Sequence, residues 1–452
     1  MNFRNQPGEC AHHYDKSRRA AERQAGAFLS VMDEVDAGVR NGFPADAALS
    51  GIFRKNRNFG SRDRRFISNT VFSYYRWKGW VETSERRLIN GNKTQSPFAA
   101  SGVFAHLLDD NRIIPPITSL AKIAGISDER LIPLGDLTLN EKTRAISDII
   151  DPHSSFYTEH LIPAWAWNHL ATTGDPGFAA RLVEAFQSRP PVWIRARKDE
   201  REQVIHLLAN QGHDAQAHPV LSEAISVGAS ISRSLARSSK RPFIEIQDIA
   251  SQCVGRICDP EPGHGWWDVC AGSGGKSLHL AEIMNNEGSI LATDIRNGPL
   301  KELQTRSNRI GANMIRPLKI HEAGPLPFDT CFDGILIDAP CSGTGTWSRN
   351  PDARWRTSEE AVEQLSSTQS GLLRRAVKHV KPGGTLVYAV CSLTRKETTD
   401  TAGTFLEEHP EFEPLPFTNP LTGNQTDGSL LILPWKGPCD GMFIARFKRS
   451  TS

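Results

Sequence analysis

From about Pro242 to its end, the chain alternates short apolar segments with amphipathic ones, and this alternation constrains the fold more than any other feature. Helical periodicity is found at 276–285, 299–311 and 359–380, and the last helix is expected to stop before Pro382-Gly383-Gly384. Strands that alternate with helices predict a doubly wound α/β domain, which a terminal pair of strands closes. The predicted buried strands are WWDVC (266–270), SILATD (289–294), FDGILID (332–338) and GTLVYAVC (384–391).

The sequence before this domain shows two other patterns. Residues 20–110 place apolar residues at helical spacing, with Gly60 as a helix stop and Ser61 as the next N-cap. Further on, the strand VWIRA, the helix REQVIHLLANQG and short β-like segments predict a small α+β unit. We therefore expect a helical domain at 1–150, a linker helix and α+β domain at 151–240, and the α/β domain at 241–452.

Positive charge is concentrated in the N-terminal part. The whole chain has 53 Lys and Arg against 51 Asp and Glu, whereas residues 1–100 hold 17 against 10. This balance suits a module that binds a polyanion, although a solvated helical face is the commoner explanation of charge alone. Tyr74, Tyr75 and Trp77 suit stacking on unpaired bases if they are exposed, and belong to the core if they are buried. The predicted RNA-binding residues here are Arg54, Lys55, Arg57, Arg62, Arg64 and Arg65.

Composition excludes several classes of protein. Eight cysteines in 452 residues, with no Cys-x-x-Cys pair, predict neither a disulfide scaffold nor a metal site. Hydrophobic residues make up 38% of the chain, and no apolar segment approaches the roughly 18 residues of a membrane-spanning helix. The first residues lack the apolar core of a secretory signal. We expect a globular, cytoplasmic protein without membrane contact.

The segment AGSGGKS follows the first predicted strand of the α/β domain and opens a helix. A glycine-rich turn in this position lets backbone N–H groups approach a ligand. It is not a Walker A loop, because Cys270 stands where that motif needs glycine, and it is not a GxGxxG dinucleotide motif. Asp294 ends the next strand, where an acid can bind ribose hydroxyls. The combination fits S-adenosylmethionine, while a turn that serves only packing remains an alternative.

Two cysteines follow predicted strands. Cys341 lies in DAPCSGTG (338–345), and Cys391 lies in VCS (390–392). Ligands of a doubly wound sheet bind outside the carboxyl ends of its strands. If these two strands are neighbours, which lie about 5 Å apart, the cysteines meet beside the ligand. Burial as small apolar residues is the alternative for each cysteine.

The motifs of this chain resemble, in order, those of the Sun-type (RsmB-like, Nop/Sun) RNA cytosine-5 methyltransferases. The N-terminal region is similar to the NusB-like RNA-binding domain of bacterial members, and residues near 190–240 to their small RNA-recognition-like domain. The resemblance implies that a Rossmann-like class I methyltransferase domain follows these two domains in the sequence. It rests on IQDIASQ (246–252), DVCAGSGGK (268–276), ATDI (292–295), DAPCSGTG, RNPDARW (349–355), AVCSLT (389–394) and DGMFIARF (440–447).

The resemblance implies a chemistry for three residues. Cys391 would be the thiolate that adds to C6 of cytosine, which makes C5 able to accept a methyl group. Cys341 would assist release of the enzyme after the C5 proton has left. Asp338 would contact the base edge and the nearby cofactor and stabilise developing charge. Lys276 is a candidate for the cation that favours a thiolate.

The resemblance also implies the cofactor S-adenosylmethionine and an RNA partner, most directly 16S ribosomal RNA, with no DNA and with the chain acting as a monomer. Asp294 would bind the ribose, and Glu322 would substitute for the acid expected near the adenine. Arg195 and Arg197 would contact RNA. The methionine end of the cofactor would be bound by Cys270, Ala271, Gly272, Ser273, Gly274, Gly275 and Lys276.

The chain departs from the family pattern at three places. Ser273 replaces the proline of the usual CAAPGGK, which is expected to loosen the loop and weaken cofactor binding. The segment TRKETTD (394–400) lacks the usual Pro-Glu-Glu-Asn, and Arg195-Ala196-Arg197 stands in place of Arg-x-Asn. These departures affect RNA placement and substrate identity more than the chemistry.

Other functions remain open from the sequence. A DNA cytosine-5 methyltransferase uses the cysteine of Pro-Cys as its nucleophile and has no second strand-end cysteine, so Cys391 favours RNA. Transfer RNA or 23S ribosomal RNA are alternative substrates. A non-catalytic RNA-binding factor on a methyltransferase fold is consistent with the departures, and the presence of Cys341, Cys391, Asp338 and Asp294 argues against it.

Overall fold

A computed structural model describes residues 7–89, 97–150, 156–170, 177–228, 244–322 and 324–451. The chain forms two compact units. The first comprises Met1–Asn168, Ala179–Gln187 and Asn350–Arg356, and the second comprises the rest. The division into domains at 1–150, 151–240 and 241–452 stays a prediction. Its boundaries fall at 151–155 and within 229–243, outside the described residues.

The first unit is helical, as the sequence predicts. Helix α3 begins at Ser61, so Gly60 and not the predicted Ser61 is the N-cap, and its N–H donates to the Asp63 carboxylate at 3.0 Å. Helix α2 ends at Lys55, before the predicted stop at Gly60. Tyr74, Tyr75 and Trp77 are at most 1% exposed, so of the two alternatives left open by the sequence the structure supports the core and not stacking on bases. The helices are α1 (Pro7–Arg40), α2 (Ala45–Lys55), α3 (Ser61–Ile89), α4 (Pro97–Asp109), α5 (Pro115–Ala124), α6 (Leu139–Ile150), α7 (Ala164–His169) and α8 (Phe178–Gln187).

Part of the RNPDARW motif belongs to this helical unit. The Arg354 guanidinium is fully buried and donates to the carbonyls of Leu161 (2.8 Å) and Phe186 (3.0 Å). Asp352 accepts a hydrogen bond from the Ala45 N–H at 3.0 Å. Backbone carbonyls therefore satisfy a buried cation here, which explains an arginine in this motif without any contact to a substrate.

The second unit begins with a small antiparallel sheet, as predicted for the α+β region. Its strand order is β2-β3-β1-β4, and helix α9 (Arg201–Asn210) packs on it through Val204 and Leu208. The strands are β1 (Val192–Arg195), β2 (Ala215–Ala217), β3 (Ala224–Val227) and β4 (Glu245–Ile246).

The rest of the second unit is a doubly wound sheet of eight described strands in the order β10-β12-β9-β8-β5-β6-β7, with β11 paired to β12. The five strands from β9 to β7 are parallel, and β12 runs antiparallel to β9. The strands are β5 (Gly265–Asp268), β6 (Ser289–Asp294), β7 (Ile315–Lys319), β8 (Phe332–Asp338), β9 (Val380–Val390), β10 (Phe412–Pro414), β11 (Ser429–Ile432) and β12 (Met442–Arg449). The helices are α10 (Ile249–Cys258), α11 (Gly275–Ile283), α12 (Asn297–Ile310), α13 (Glu359–Val377) and α14 (Thr401–Glu408).

The structure corrects the predicted elements at three places. Strand β7 was not predicted, because it contains Pro317, which strands tolerate at a sheet edge, and β7 is an edge strand. Helix α13 ends at Val377 rather than at 380, and Pro382-Gly383-Gly384 lies inside β9, where the pairing with β8 shifts register. Three strands, not two, close the sheet at the C-terminus.

Three of the motifs meet in one ion-pair cluster. Arg349 of RNPDARW contacts Asp248 of IQDIASQ at 2.8 Å and Asp440 of DGMFIARF at 3.3 Å. Asp248 also caps helix α10 by accepting from the Ala250 N–H at 2.9 Å. Burial raises the pKa of Asp248, and it raises the pKa of Asp440 to about 7. These motifs therefore stabilise the fold around two buried carboxylates that share one guanidinium.

Replacement of Arg349 by alanine should destabilise the protein by about 3–5 kcal/mol, because it leaves two buried carboxylates without a counter-charge. Since the folded-state pKa values of Asp248 and Asp440 are raised, their ionisation costs stability as pH rises, and the loss should be larger at pH 8 than at pH 5.5. Urea unfolding at both values measures it. Arg374→Ala, which breaks an exposed pair with Glu408, is the control and should cost under about 0.5 kcal/mol.

Candidate active site

The two predicted catalytic cysteines meet at the carboxyl edge of the sheet. Strands β8 and β9 are parallel neighbours, and the Ala339 N–H donates to the Ala389 carbonyl at 2.9 Å. Cys341 and Cys391 follow the ends of these strands, and their Sγ atoms lie 3.3 Å apart. The predicted adjacency of the two strand ends is therefore present. Both side chains are half-buried, so one face of the pair remains accessible.

A lysine–aspartate pair lies beside the cysteines. Lys276, in the first turn of α11, donates from Nζ to Asp338 Oδ2 at 2.6 Å. Burial lowers the pKa of Lys276, but the charges of Asp338 and Cys391 outweigh it and leave the pKa raised. The hydrogen bond to Cys391, together with burial, holds the pKa of the Cys341 thiol well above its usual value. The site thus keeps a cation beside Cys391 and a protonated thiol at Cys341.

The glycine-rich turn adjoins a cavity of about 380 Å³. Gly272 and Gly274 have φ values of +54° and +87°, a region that favours glycine, and a Cβ on Gly274 would lie 2.0 Å from Leu303 Cδ1. Gly274 is therefore needed for the turn to pack on α12. The cavity is lined by Glu245, Ile246, Gln247, Ser251, Asp268, Cys270, Ala271, Gly272, Ser273, Gly275, Lys276, Arg296, Arg306 and Asp338.

Three predicted cofactor residues do not line this cavity. Gly274 is buried because it packs against Leu303 of α12. Asp294 is 5% exposed, and its carboxylate accepts hydrogen bonds from Arg296 and from the Gly272 N–H at 3.0 Å, so it braces the turn. These donors outweigh the effect of burial and lower the pKa of Asp294. Glu322 has an exposed side chain. The roles of Asp294 toward ribose and of Glu322 toward adenine stay predictions.

The predicted RNA-binding arginines differ in their environment. Five of the N-terminal set are exposed, whereas Arg64 is half-buried, donates to the Phe59 carbonyl at 2.9 Å and lies over the Phe53 ring. Arg195 corrects the prediction: its guanidinium is fully buried, donates to Gln247 at 2.9 Å and pairs with Glu282, so RNA cannot reach it. The exposed five are Arg54, Lys55, Arg57, Arg62 and Arg65, and Arg197 is half-buried.

Comparison with known proteins identifies the family. A sequence model described as 16S rRNA methyltransferase RsmB/F matches residues 256–448. The chain is 32% identical over 304 residues to a probable ribosomal RNA small subunit methyltransferase B of Synechocystis sp., which covers 65% of this chain and 68% of that protein. The chain belongs to the RsmB/F family. A probable methyltransferase B of Bacillus subtilis is 29% identical over 416 residues, 87% of this chain and 92% of that protein.

Solved structures confirm the fold class of this RsmB/F-family chain. The crystal structure of PH0851 superposes with a TM-score of 0.72 and 24% identity over 93% of this chain and 99% of that chain. NSun6 from Pyrococcus horikoshii, solved with SFG, superposes with a TM-score of 0.53 and 16% identity over 61% of this chain and 94% of that chain. At these identities the likeness concerns the fold alone. In the described part of the chain, no helix has the length and apolarity to cross a membrane.

As an RsmB/F-family methyltransferase the protein uses S-adenosylmethionine, and the cavity fits a small cationic ligand. Asp268, which the sequence analysis missed, is 1% exposed and lines the cavity. Its Oδ2 accepts from Ser277 at 2.6 Å, while its Oδ1 has no partner among the described residues. An unpaired buried acceptor suits the ammonium or sulfonium charge of the cofactor. Its position at the end of β5, directly before the glycine-rich turn, is the signal that could have found it.

Ser273 is held by contacts that the sequence did not reveal. Arg306 of α12 donates to the Ser273 carbonyl and to its Oγ (3.2 Å), and it pairs with Glu245 of β4. The Ser273 N–H donates no hydrogen bond among the described residues. A loop without the family's proline is therefore fixed by a guanidinium, and the expectation that the substitution loosens the loop is not supported by these contacts.

Cofactor binding should depend on the ionisation of Asp268. Burial raises the pKa of Asp268 to about 7, and a cationic ligand favours the ionised form. The affinity for S-adenosylmethionine should therefore rise as pH increases from 6 to 8, by up to about tenfold per unit below the pKa. Calorimetric titration at several pH values measures this, together with proton release on binding. Asp268→Asn should flatten the profile, and an unchanged profile in that variant would contradict the assignment.

Removal of the Arg306 side chain should weaken cofactor binding. Charge-assisted hydrogen bonds contribute about 1.5–3 kcal/mol, so Arg306→Ala should raise the dissociation constant of S-adenosylmethionine about tenfold or more. Ser273→Pro in the Arg306→Ala background should recover much of the affinity, because the ring fixes φ and costs no hydrogen bond. Lys301→Ala, on the exposed side of the same helix, is the control. Equal affinities in wild type and Arg306→Ala would refute the role of this arginine.

Proposed function

We propose that the protein transfers a methyl group from S-adenosylmethionine to C5 of a cytosine in 16S ribosomal RNA, through a covalent bond between Cys391 and C6 of the base. The observation that carries this proposal is the 3.3 Å approach of the Cys341 and Cys391 sulfurs beside the Lys276–Asp338 pair. Two thiols in different electrostatic surroundings suit a reaction that needs one nucleophile and one proton-transfer group.

Cys391 would act first. Cytosine C5 is a weak nucleophile, and thiolate addition at C6 breaks the C5–C6 double bond and gives C5 enamine character. The ammonium of Lys276 lies close enough to interact with the charge of a Cys391 thiolate. The bound cofactor supplies the methyl group, which C5 takes as the cofactor's carbon–sulfur bond breaks.

Cys341 and Asp338 would complete the cycle. The C5 proton must pass to a base, in the simplest case a solvent water, before the Cys391–C6 bond breaks and restores the double bond and the free thiolate. Cys341 lies within contact distance of the Cys391 sulfur, where it can assist this step. Asp338, with 30% of its side chain exposed, lines the cofactor cavity and can also reach a base edge while Lys276 fixes its orientation.

An RNA substrate is supported by exposed basic residues of the helical unit and by the functions for which the relatives are named. Arg54 and Lys55 in the last turn of α2 and Arg57 just after it are exposed, where they can neutralise phosphates. The base has to leave its stack to reach a half-buried pair of sulfurs, which favours a loop or helix-end cytosine. The Synechocystis and Bacillus relatives are named ribosomal RNA small subunit methyltransferases, which favours 16S over transfer or 23S RNA. The cytoplasmic location belongs to this proposal.

The decisive experiment compares wild type, Cys391→Ala and Cys341→Ala with labelled S-adenosylmethionine, using 30S subunits, naked 16S RNA, 23S RNA and transfer RNA as substrates. Label should appear in 5-methylcytidine of 16S RNA with wild type only. Cys391→Ala should lose at least about 10³-fold in rate, because the nucleophile is gone. Cys341→Ala should accumulate a covalent protein–RNA adduct on a denaturing gel, since release fails.

Other outcomes would redirect the proposal. Label that survives Cys391→Ala but not Cys341→Ala would exchange the roles of the two cysteines. RNA binding without any methyl transfer by wild type would favour the non-catalytic RNA-binding factor. Cys331→Ala is the matched control, because Cys331 is an exposed cysteine at the opposite end of β8 and should leave the activity unchanged.

A further inference from the structure

Glu397 is a buried carboxylate that the proposed chemistry does not use. It lies in the π-helical turn Lys396–Asp400 that precedes α14, and it is fully buried. It forms no ion pair with Lys, Arg or His among the residues that the structure describes. Five neutral donors surround its oxygens instead. They are the Ser342 N–H (2.8 Å), the Ser342 hydroxyl, Gln369 Nε2 (3.0 Å), Ser392 Oγ (2.6 Å) and Thr394 Oγ1 (2.9 Å).

Four of these five donors come from the two cysteine loops, and the fifth, Gln369, comes from α13. Ser342 directly follows Cys341, and Ser392 directly follows Cys391. The two serine hydroxyls also lie 3.2 Å from each other, and Thr344 Oγ1 lies 3.1 Å from Ser392 Oγ. The backbone joins the same loops a second time, because the Gly345 N–H donates to the Cys391 carbonyl at 3.0 Å. One carboxylate therefore bridges the residues next to each catalytic sulfur.

We propose that Glu397 is a positioning residue that fixes the distance between the Cys341 and Cys391 sulfurs by tethering Ser342 and Ser392 to one buried carboxylate. The catalytic consequence rests on the proposed function, whereas the tether itself does not. A carboxylate has about four acceptor sites, which suits the convergence of several donors from two loops. An ionised acceptor makes these hydrogen bonds stronger than neutral ones.

The charge of Glu397 adds a second effect in the same direction. Its negative charge contributes to the raised pKa of the Cys341 thiol, after the hydrogen bond to Cys391 and burial. The charge of Lys276, by contrast, interacts with Cys391. Glu397 thus helps to keep the two sulfurs chemically different as well as close.

The burial of Glu397 also changes the interpretation of the TRKETTD segment (394–400). The segment lacks the Pro-Glu-Glu-Asn of the family pattern, but it retains one glutamate, and that glutamate is the buried one. Its neighbours Arg395 and Asp400 are exposed and pair with each other at 3.6 Å. Of the departures, Arg395 faces solvent and Thr398 is buried, while the glutamate that contacts both cysteine loops is present.

The experiment separates the effect of the length of the Glu397 side chain from the effect of its charge. Glu397→Asp keeps the charge but shortens the side chain by one methylene, so it cannot span both loops, and Glu397→Gln keeps the length but loses the charge. Ser392→Ala removes a single tether, and Asp400→Asn is the matched control three residues along the same turn. The first readout is oxidation by diamide, which takes two electrons and two protons from the thiols of Cys341 and Cys391 to give a disulfide and a hydrazine. Peptide mass spectrometry follows the disulfide.

Wild type and Asp400→Asn should form the Cys341–Cys391 disulfide at the same rate, and Glu397→Asp should form it at least fivefold more slowly, with Ser392→Ala intermediate. The dissociation constant for S-adenosylmethionine should be unchanged in all of them, because Glu397 does not line the cofactor cavity. Methyl transfer should show at least a tenfold lower kcat with unchanged KM for RNA in both Glu397 variants.

A wild-type disulfide rate and kcat in Glu397→Asp would overturn the proposal. If a Glu397 variant fails to bind the cofactor because it does not fold, Ser392→Ala decides, and a wild-type disulfide rate in that variant would likewise overturn it. If wild type makes no 5-methylcytidine, the proposed function fails, yet the disulfide rates still test the tether. The two failures are therefore distinguishable.

Discussion

The parallel pairing of β8 with β9 is the constraint on which the rest of the site depends. Because Asp338 is opposite Ala389, both chains leave the sheet at the same height, and Cys341 and Cys391 follow within three residues. Close packing fixes this exit: a Cβ on Gly345 would lie 2.0 Å from the Gly441 carbonyl oxygen, so the loop after Cys341 rests directly on the DGMFIARF segment. A sheet edge, and not a single side chain, thus brings the two sulfurs together.

The cofactor side of the site depends on the small sheet as well as on the methyltransferase fold. Strand β4 supplies Glu245 and Ile246 to the cavity wall, and Gln247 follows them. Glu245 forms an ion pair with Arg306, and Arg306 donates a hydrogen bond to the Ser273 carbonyl. The glycine-rich turn is therefore anchored to a strand of the small sheet. The fully buried Arg195 of β1 also donates to Gln247. An arginine that looks like an RNA contact in the sequence therefore serves the wall of the cofactor cavity.

The sequence predicted what local pattern encodes. Apolar periodicity located β6 and β8 to the residue, and the position of Cys341 and Cys391 after strands placed them at one edge. It could not predict contacts between segments distant along the chain, such as Arg195 with Glu282 or the five donors around Glu397, because spacing carries no information about them. Charge alone did not separate the buried arginines from the exposed Arg57 and Arg62. Strand β7 was missed because its proline is permitted only by its edge position.

Two carboxylates, Asp338 and Glu397, give the two sulfurs different electrostatic surroundings. Asp338 is partly exposed and is paired with a cation, Lys276, so its charge is largely neutralised toward Cys391. Glu397 is fully buried and is surrounded by neutral donors, so its field persists toward Cys341 in a medium of low dielectric constant. The same type of group is therefore part of a neutralised ion pair near one sulfur and an uncompensated negative charge near the other. The two thiols at contact distance therefore lie in different electrostatic surroundings, which suits a mechanism that assigns different roles to its two cysteines.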